Sequence, residues 1–330
     1  MTVRCPIEII GAGASVPARV VTNDDFARRL DTSDEWIVQR TGIRERRFAA
    51  TGESTLGFAA GACKAALQNA RVEPAEIDLL ISATITPDHT LPSLACELQA
   101  ALGLRCVPAF DLVAACSGFV YGLITAGQFI QTGMARTVLV VGAECMTRTV
   151  DMEDRSTCVL FGDGSAAAVV RRSAHPERGV VAARWGADGT RADLIWIPAG
   201  GSAEPASIRT INERLHFMRM KGREVYKVAV TLMQDIVRDT CADAGIAPSD
   251  LELLIPHQSN LRIIESACSK LGIPSERVMV NIDRYGNTSA ASVPLALVEA
   301  RGAGRLTPGS LIMLVAFGAG FTWASVVMRV

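Results

Sequence analysis

The chain has no Cys-x-x-Cys pair, four histidines, few aromatic residues (5%) and a formal net charge of only -1 across 330 residues. Each shortage excludes something. An odd count of nine unpaired-looking cysteines argues against a disulfide framework and against a zinc site, so no metal is expected. Near-zero net charge gives no electrostatic case for nucleic acid or a membrane surface. The opening MTVRCPIEIIGAG lacks the apolar stretch and small-residue cleavage pattern of a secretory signal, so a reduced, cytoplasmic protein is expected. Gly11-Ala12-Gly13 lacks the third glycine of a dinucleotide loop and is soon followed by Pro17, which favours a plain turn. Asn287-Thr288-Ser289 matches a glycosylation sequon, but nothing else indicates secretion.

Hydrophobic residues are abundant (49%), which suits closely packed helices and sheets rather than disorder. The length fits two domains or one doubled domain. The stretch DLVAACSGFVYGLITAGQFIQTG organises the rest. It is free of charge from Leu112 to Ala135, and Gly118, Gly122 and Ala126 recur four apart. On a helix that spacing lines one face with small side chains and allows close approach. Ser117, Thr125 and Gln128 interrupt the run, so it reads as a buried helix and not a membrane span. Cys116 falls where a strand-like run becomes this helix. The positive end of the helix dipole there favours a thiolate. An arbitrary cysteine in an apolar run is more often core than catalyst, so Cys116 needs partners to mean more.

Strand-like runs (Ile77–Ile85, Val107–Val113, Thr137–Gly142) alternate with helix-like ones (Thr55–Asn69, Leu94–Leu102), which implies an α/β architecture. The pattern then repeats. RVEPAEIDLLI, ending at Ile81, resembles GIAPSDLELLI, ending at Ile255, a spacing of 255 − 81 = 174. At the same spacing Val138–Val141 falls on Ile312–Val315. A duplicated unit follows, with halves at 1–175 and 176–330 joined near the polar stretch RRSAHPERG. Two halves facing each other would bring Cys116 together with His257, at the end of a buried run, and Asn287, in a Gly-Asn-Thr-Ser turn. Asn287 could equally be a helix cap. Trp36 and Arg40 lie on one helical face and could offer a stacking plate for a flat base beside a cation for phosphate. An ordinary surface helix with an aromatic anchor is the plainer alternative.

With DEWIVQRTGI, AACSGF, DRSTCVLFGDG, GREVYKVAV, PHQSNLRII, DRYGNTSAASVP and AFGAGFTW in order, the chain resembles the β-ketoacyl-acyl-carrier-protein synthase III family of the thiolase superfamily over essentially its full length. The resemblance implies a thiolase-like, five-layered αβαβα fold and a homodimer. It implies decarboxylative Claisen condensation of a short acyl-coenzyme A with malonyl-acyl-carrier-protein through an acyl-cysteine. It also implies a Cys116, His257, Asn287 triad with an oxyanion hole from the amides of Cys116 and Ala319. Trp36, Arg40, Arg155 and Asn260 would bind coenzyme A. Lys227, Gln258, Arg262 and Lys270 would meet the carrier protein, and Leu91 would wall the acyl pocket, from the partner subunit. No metal or redox cofactor is implied.

Three positions depart from the commonest family pattern. Ser117 adds a hydroxyl near the thiolate. Ala319 replaces the middle glycine of a turn, where a positive φ would strain it. Leu91 stands where an aromatic often closes the pocket. A condensing enzyme or acyltransferase of secondary metabolism with another starter is the alternative function. A cysteine hydrolase shares the residue types but needs an open cleft and an activated water, whereas buried runs flank all three residues. A non-catalytic coenzyme A-binding scaffold fits least with all three present.

Overall fold

A computed structural model describes residues 5–330; the first four residues of the opening segment lie outside it. Strands β1 (Ile7–Ser15), β2 (Leu79–Ala83), β3 (Ala109–Leu112), β4 (Thr137–Cys145) and β5 (Asp163–Arg172) form one sheet in the order β1-β5-β4-β2-β3. Strands β6 (Gly179–Ala187), β7 (Leu253–Pro256), β8 (Leu311–Gly318) and β9 (Thr322–Arg329) form a second, ordered β7-β8-β9-β6. The principal helices are α1 (Asp34–Thr41), α2 (Thr55–Ala70), α3 (Leu94–Ala101), α4 (Gly118–Gln131), α5 (Gly222–Ala244), α6 (Leu261–Leu271) and α7 (Ser292–Gly302).

Strand alternation sorts the apolar side chains into layers. Val138 and Val140 of β4 turn to the centre of the molecule, where they meet Phe119 and Leu123 of α4. Leu139 and Val141, between them, pack outward on α2 and α3. In the second sheet Ile312 and Leu314 face the centre and α7, while Met313 and Val315 pack outward on α5 and α6. The result is five layers, αβαβα, with α4 and α7 sandwiched between the sheets. α4 is buried within the protein, and no helix among the described residues is long and apolar enough to cross a membrane.

The 174-residue repeat survives as geometry. In the first sheet Leu79 pairs with Val138 in a parallel ladder; in the second Leu253 pairs with Ile312 in the same sense. A 3-10 turn precedes each of these strands, at Pro74–Glu76 and Pro248–Asp250. A second pair of 3-10 turns, Ala115–Ser117 and Ser289–Ala291, opens α4 and α7. Ala115 (φ 46°) and Ser289 (φ 49°) are both left-handed there. The edge strand β3 has no full counterpart: Val278 makes only an isolated bridge to Leu254.

The small-residue face of α4 does what its spacing suggests. A Cβ on Gly118 would lie 2.9 Å from that of Ala83, and one on Gly122 2.9 Å from Cγ1 of Val140. Gly142 of β4 is tighter still, since a Cβ there would stand 2.3 Å from the carbonyl oxygen of Ala290. Backbone from the two halves therefore touches directly at this point. Gly142→Ala should lower unfolding stability in urea by about 1–3 kcal/mol, the usual range for overpacking. Gly57→Ala in α2, whose added methyl would meet only Ser54 Oγ at 4.0 Å, should instead be neutral or raise stability by up to about 1 kcal/mol.

Candidate active site

Cys116, His257 and Asn287 line one cavity of about 980 Å³, along with Trp36, Arg155 and Ala319. Each is placed by a different element. Cys116 occupies the 3-10 turn just before α4, and its sulfur donates to Ser289 Oγ at 3.6 Å. His257 follows β7 and extends its ladder, donating its amide to the Val315 carbonyl (2.8 Å). Its ring sits edge-on to Phe317, 5.7 Å between centroids. Asn287 is held from the first half of the chain: its amide donates to the Leu160 carbonyl and its own carbonyl accepts from Gly162 N. Glycines permit that crossing, because a Cβ on Gly162 would lie 2.3 Å from the Tyr285 carbonyl oxygen. Asn287 Oδ1 accepts from Ser289 N at 2.9 Å, which leaves Nδ2 as the donor end.

Burial governs the electrostatics. It pushes the Cys116 thiol up to about 12, with the Ser289 hydrogen bond pulling down and the Glu144 charge pushing up. Burial therefore favours a resting thiol over the thiolate. His257 is depressed to about 3 by burial alone, and among the described residues its Nδ1 has no hydrogen-bond partner. It is a neutral imidazole, a donor rather than a cation or a base. Glu144 is fully buried, and burial raises its carboxyl to about 7 against the hydrogen bonds it accepts.

The turn after β8 settles the question raised by Ala319. The left-handed geometry falls on Gly320 (φ 137°) and not on Ala319, so alanine is unstrained there. A Cβ on the preceding Gly318 would come within 2.6 Å of Cys116 N, so the bare glycine lets this turn close on the cysteine. Ser117 corrects its expectation. It is buried, and its hydroxyl bonds the Ala114 carbonyl and Thr322 Oγ1, each at 2.7 Å; it braces the turn and does not face the sulfur.

At the mouth, two cations lie over the Trp36 ring, with Arg155 Cζ 5.3 Å and Arg40 Cζ 5.8 Å from its centroid. Arg155 also donates to the Asp31 carbonyl and carboxylate. Ser33 caps α1 by accepting from Trp36 N. Asn260 caps α6 through Oδ1 to Arg262 N (2.9 Å) and reaches the Arg40 carbonyl with Nδ2 (3.0 Å), so it ties α6 to α1. Lys227 and Arg262 line the cavity mouth, with Arg262 over Tyr226, whereas Lys270 ends α6 on the exposed surface. Gln258 is a correction. It is 1% exposed; its Nε2 donates to the Pro256 and Met279 carbonyls and its Oε1 accepts from Asn281 and Ile282 amides. A side chain so enclosed knits the second half together and meets no carrier. Leu91 is 86% exposed and stands outside the cavity of its own chain.

Sequence reading missed Arg46, Glu144 and Ser289. Arg46, in the surface-like run Arg44–Arg47, is wholly buried. It donates to Asn23 Oδ1 (2.8 Å) and the Val159 carbonyl (2.5 Å) with its guanidinium over Phe26. Asn23 in turn donates to Asp34 Oδ1 and the Ile43 carbonyl, at the two ends of α1. The cation thus fastens the helix bearing Trp36 to the cavity wall at Val159. An acid one residue from the end of an otherwise apolar strand was the available signal for Glu144.

Comparison with known proteins shows the family of the chain. Residues 110–189 match the family described as 3-oxoacyl-[acyl-carrier-protein (ACP)] synthase III, and residues 241–330 match its C-terminal counterpart. The beta-ketoacyl-[acyl-carrier-protein] synthase III of Roseiflexus sp. is 51% identical over 97% of each chain, and that of Caldanaerobacter subterraneus is 48% identical over 97% of each. The crystal structure of 3-oxoacyl-[acyl-carrier-protein] synthase III from Aquifex aeolicus superposes with a TM-score of 0.91 at 47% identity, covering 98% of this chain and 100% of that one.

The His257 ring resonances should not titrate between about pH 8 and 5, the window in which an ordinary imidazole charges. NMR of ring-labelled protein checks this. The unfolded imidazole, near 6.5, protonates before the folded one, near 3. His257 therefore costs stability as pH falls below about 6.5, by up to about 1.4 kcal/mol per pH unit. Glu144 acts oppositely: its folded carboxyl is raised from 4.5 to about 7, so the stability it contributes below about 4.5 is lost as pH rises through 7.

Proposed function

Given that this chain belongs to the β-ketoacyl-[acyl-carrier-protein] synthase III family and is a condensing acyltransferase of fatty-acid synthesis, we propose that Cys116, His257 and Asn287 carry the reaction. The observation that carries this reading is the single cavity lined by all three together with Trp36, Arg40, Arg155 and Asn260.

The first half-reaction is acyl transfer. The Cys116 sulfur attacks the thioester carbon of a short acyl-coenzyme A, the new C–S bond forms, and the coenzyme A thiol leaves. The amides of Cys116 and Ala319 receive the tetrahedral oxyanion; both residues line the cavity, and Gly318 lets them approach. In the second half-reaction malonyl-acyl-carrier-protein loses carbon dioxide. The enolate charge on its thioester oxygen is met by Nε2 of neutral His257 and Nδ2 of Asn287. A neutral imidazole suits that task, because it donates a hydrogen bond without trapping the enolate as its acid. The carbanion attacks the acyl-cysteine carbonyl, the new C–C bond forms, the acyl C–S bond breaks, and the Cys116 sulfur leaves as a thiolate that is reprotonated to the thiol.

The flat face of Trp36 and the guanidinium of Arg155 take the adenine of coenzyme A, with Arg40 toward its phosphates and Asn260 toward the pantetheine. Lys227, Arg262 and Lys270 steer the acidic carrier. Acyl-coenzyme A is a substrate and the chemistry calls on no resident cofactor. The halves 1–175 and 176–330 each supply one side of the site. The protein works as a cytoplasmic homodimer: all nine cysteines are free, and exposed Leu91 and Val113 flank α3 and the edge strand β3, where a second copy would take Leu91 into its acyl pocket.

Incubation with acetyl-coenzyme A should leave the acyl mass on the peptide containing Cys116, and Cys116→Ala should abolish it. An unmodified wild-type peptide would overturn the assignment. Trp36→Ala should raise KM for acetyl-coenzyme A about tenfold or more, the cost of one lost stacking and cation–π site. It should leave turnover of an acyl thioester lacking the nucleotide unchanged.

A further inference from the structure

Glu144 is unexplained by the reaction as described. It is an acid buried to 0% exposure near the end of β4, and it forms no ion pair with any lysine or arginine among the described residues. Its oxygens are surrounded by donors. Oε2 accepts from Thr86 Oγ1 (2.6 Å), Thr84 Oγ1 (3.2 Å) and Ile85 N (3.1 Å). Oε1 accepts from Ser289 Oγ at 3.0 Å. A carboxyl whose partners all donate is arranged to be held as a carboxylate.

The direction of these bonds fixes the next link. Ser289 spends its one proton on Glu144, so its oxygen lone pairs are what it offers Cys116, whose S–H points to it at 3.6 Å. The three groups form a directed chain, S–H to O–H to carboxylate, crossing from the first half of the molecule to the second and back. Ser289 is fixed in that role. Its left-handed backbone (φ 49°) and its amide bond to Asn287 Oδ1 hold the hydroxyl between the two groups.

Acyl transfer needs this thiol deprotonated, and the other candidate base serves poorly: the His257 imidazole is held neutral with its proton affinity depressed to about 3 by burial. We infer, building on the acyl-cysteine reading above, that Ser289 and Glu144 form the proton path that activates Cys116 for acyl transfer. As the sulfur attacks, the S–H bond breaks and its proton passes to Ser289 Oγ, while the Ser289 proton passes to Glu144 Oε1. Charge is conserved: a carboxylate is lost and a thiolate gained. When the C–S bond to coenzyme A breaks, the proton returns through Ser289 to the departing thiolate, restoring hydroxyl and carboxylate. Ser289 touches the reacting sulfur; Glu144 acts through it and is a positioning and proton-holding residue.

Other titratable groups around Glu144 are accounted for. Cys116 faces it across Ser289, Cys145 is its neighbour on β4, and Asp163 of β5 pairs opposite Cys145. The Asp163 carboxylate is occupied by Ala49 N and Thr147. Arg148 and Asp88 act on Cys145, and Asp88 caps the Leu56 amide.

The test is single-turnover acylation by acetyl-coenzyme A, followed by intact mass from pH 6 to 10, for wild type, Glu144→Gln and Ser289→Ala. The wild-type rate should level off once Glu144 is ionised, near or somewhat above pH 7. Both variants should acylate about 100-fold or more slowly at neutral pH, the usual worth of a positioned base. Their rates should keep climbing about tenfold per pH unit as the bare thiol ionises. A purely structural role would scale the rate without reshaping its pH profile. Wild-type acylation with either folded variant within about threefold of it and an unchanged profile overturns the relay. Should Glu144→Gln not fold, Ser289→Ala decides alone. Absence of acylation in the wild type overturns the acyl-cysteine reading instead.

Discussion

The structure depends on the meeting of two strained turns. Ala115 and Ser289 occupy equivalent places in the two repeats, both left-handed without being glycine. Such backbone costs on the order of 1 kcal/mol or more per residue and persists only where surrounding packing enforces it. The enforcement is visible: Gly142 lets β4 rest on the carbonyl of Ala290, Gly118 brings the first turn of α4 near Ala290, and Gly318 admits the backbone of Cys116. Everything chemical follows from that contact, since it sets a sulfur from one repeat against a hydroxyl and a carboxamide from the other. It also dries the site, and dryness decides protonation. The thiol and the carboxyl are pushed up and the imidazole down by one cause, loss of water.

Much of this was legible in the residues. The duplication could be read because the Pro-x-acid-apolar loops before β2 and β7 recur at one spacing, and that spacing then reappears in strand register and in both pairs of turns. Cys116, His257 and Asn287 could be read because each ends or precedes an apolar run, where a side chain is presented to a cavity. What could not be read was whatever depends on burial of a charge. Arg44–Arg47 has the composition of a solvated face, yet Arg46 is enclosed because three carbonyl or amide oxygens and a phenyl ring converge on it from distant parts of the chain. Glu144 lay just beyond the strand as read from its apolar run, which stopped at Gly142. Gln258 read as a contact for a partner and is instead an internal fastener.

The departures from the family pattern are absorbed by neighbours. Alanine at 319 is tolerated because the turn places its left-handed residue at Gly320. Serine at 117 finds Thr322 and the Ala114 carbonyl, and so braces the turn from beneath. The duplicated halves have also divided their labour. The position equivalent to Cys116 in the second repeat is Ala290, packed against Gly118 and Gly142, so only one of the two turns carries a thiol while the other brings polar side chains to the same cavity.

The mouth of the cavity is held by its own side chains. Arg155 lies over the Trp36 ring while anchored to Asp31, so a flat group that stacks on the indole from that side must first move a guanidinium. Recognition there is an exchange, in which one planar group supplants another on the same indole. Because exposed cation–π contacts are worth only about 0.5–1 kcal/mol, moving that guanidinium aside costs little.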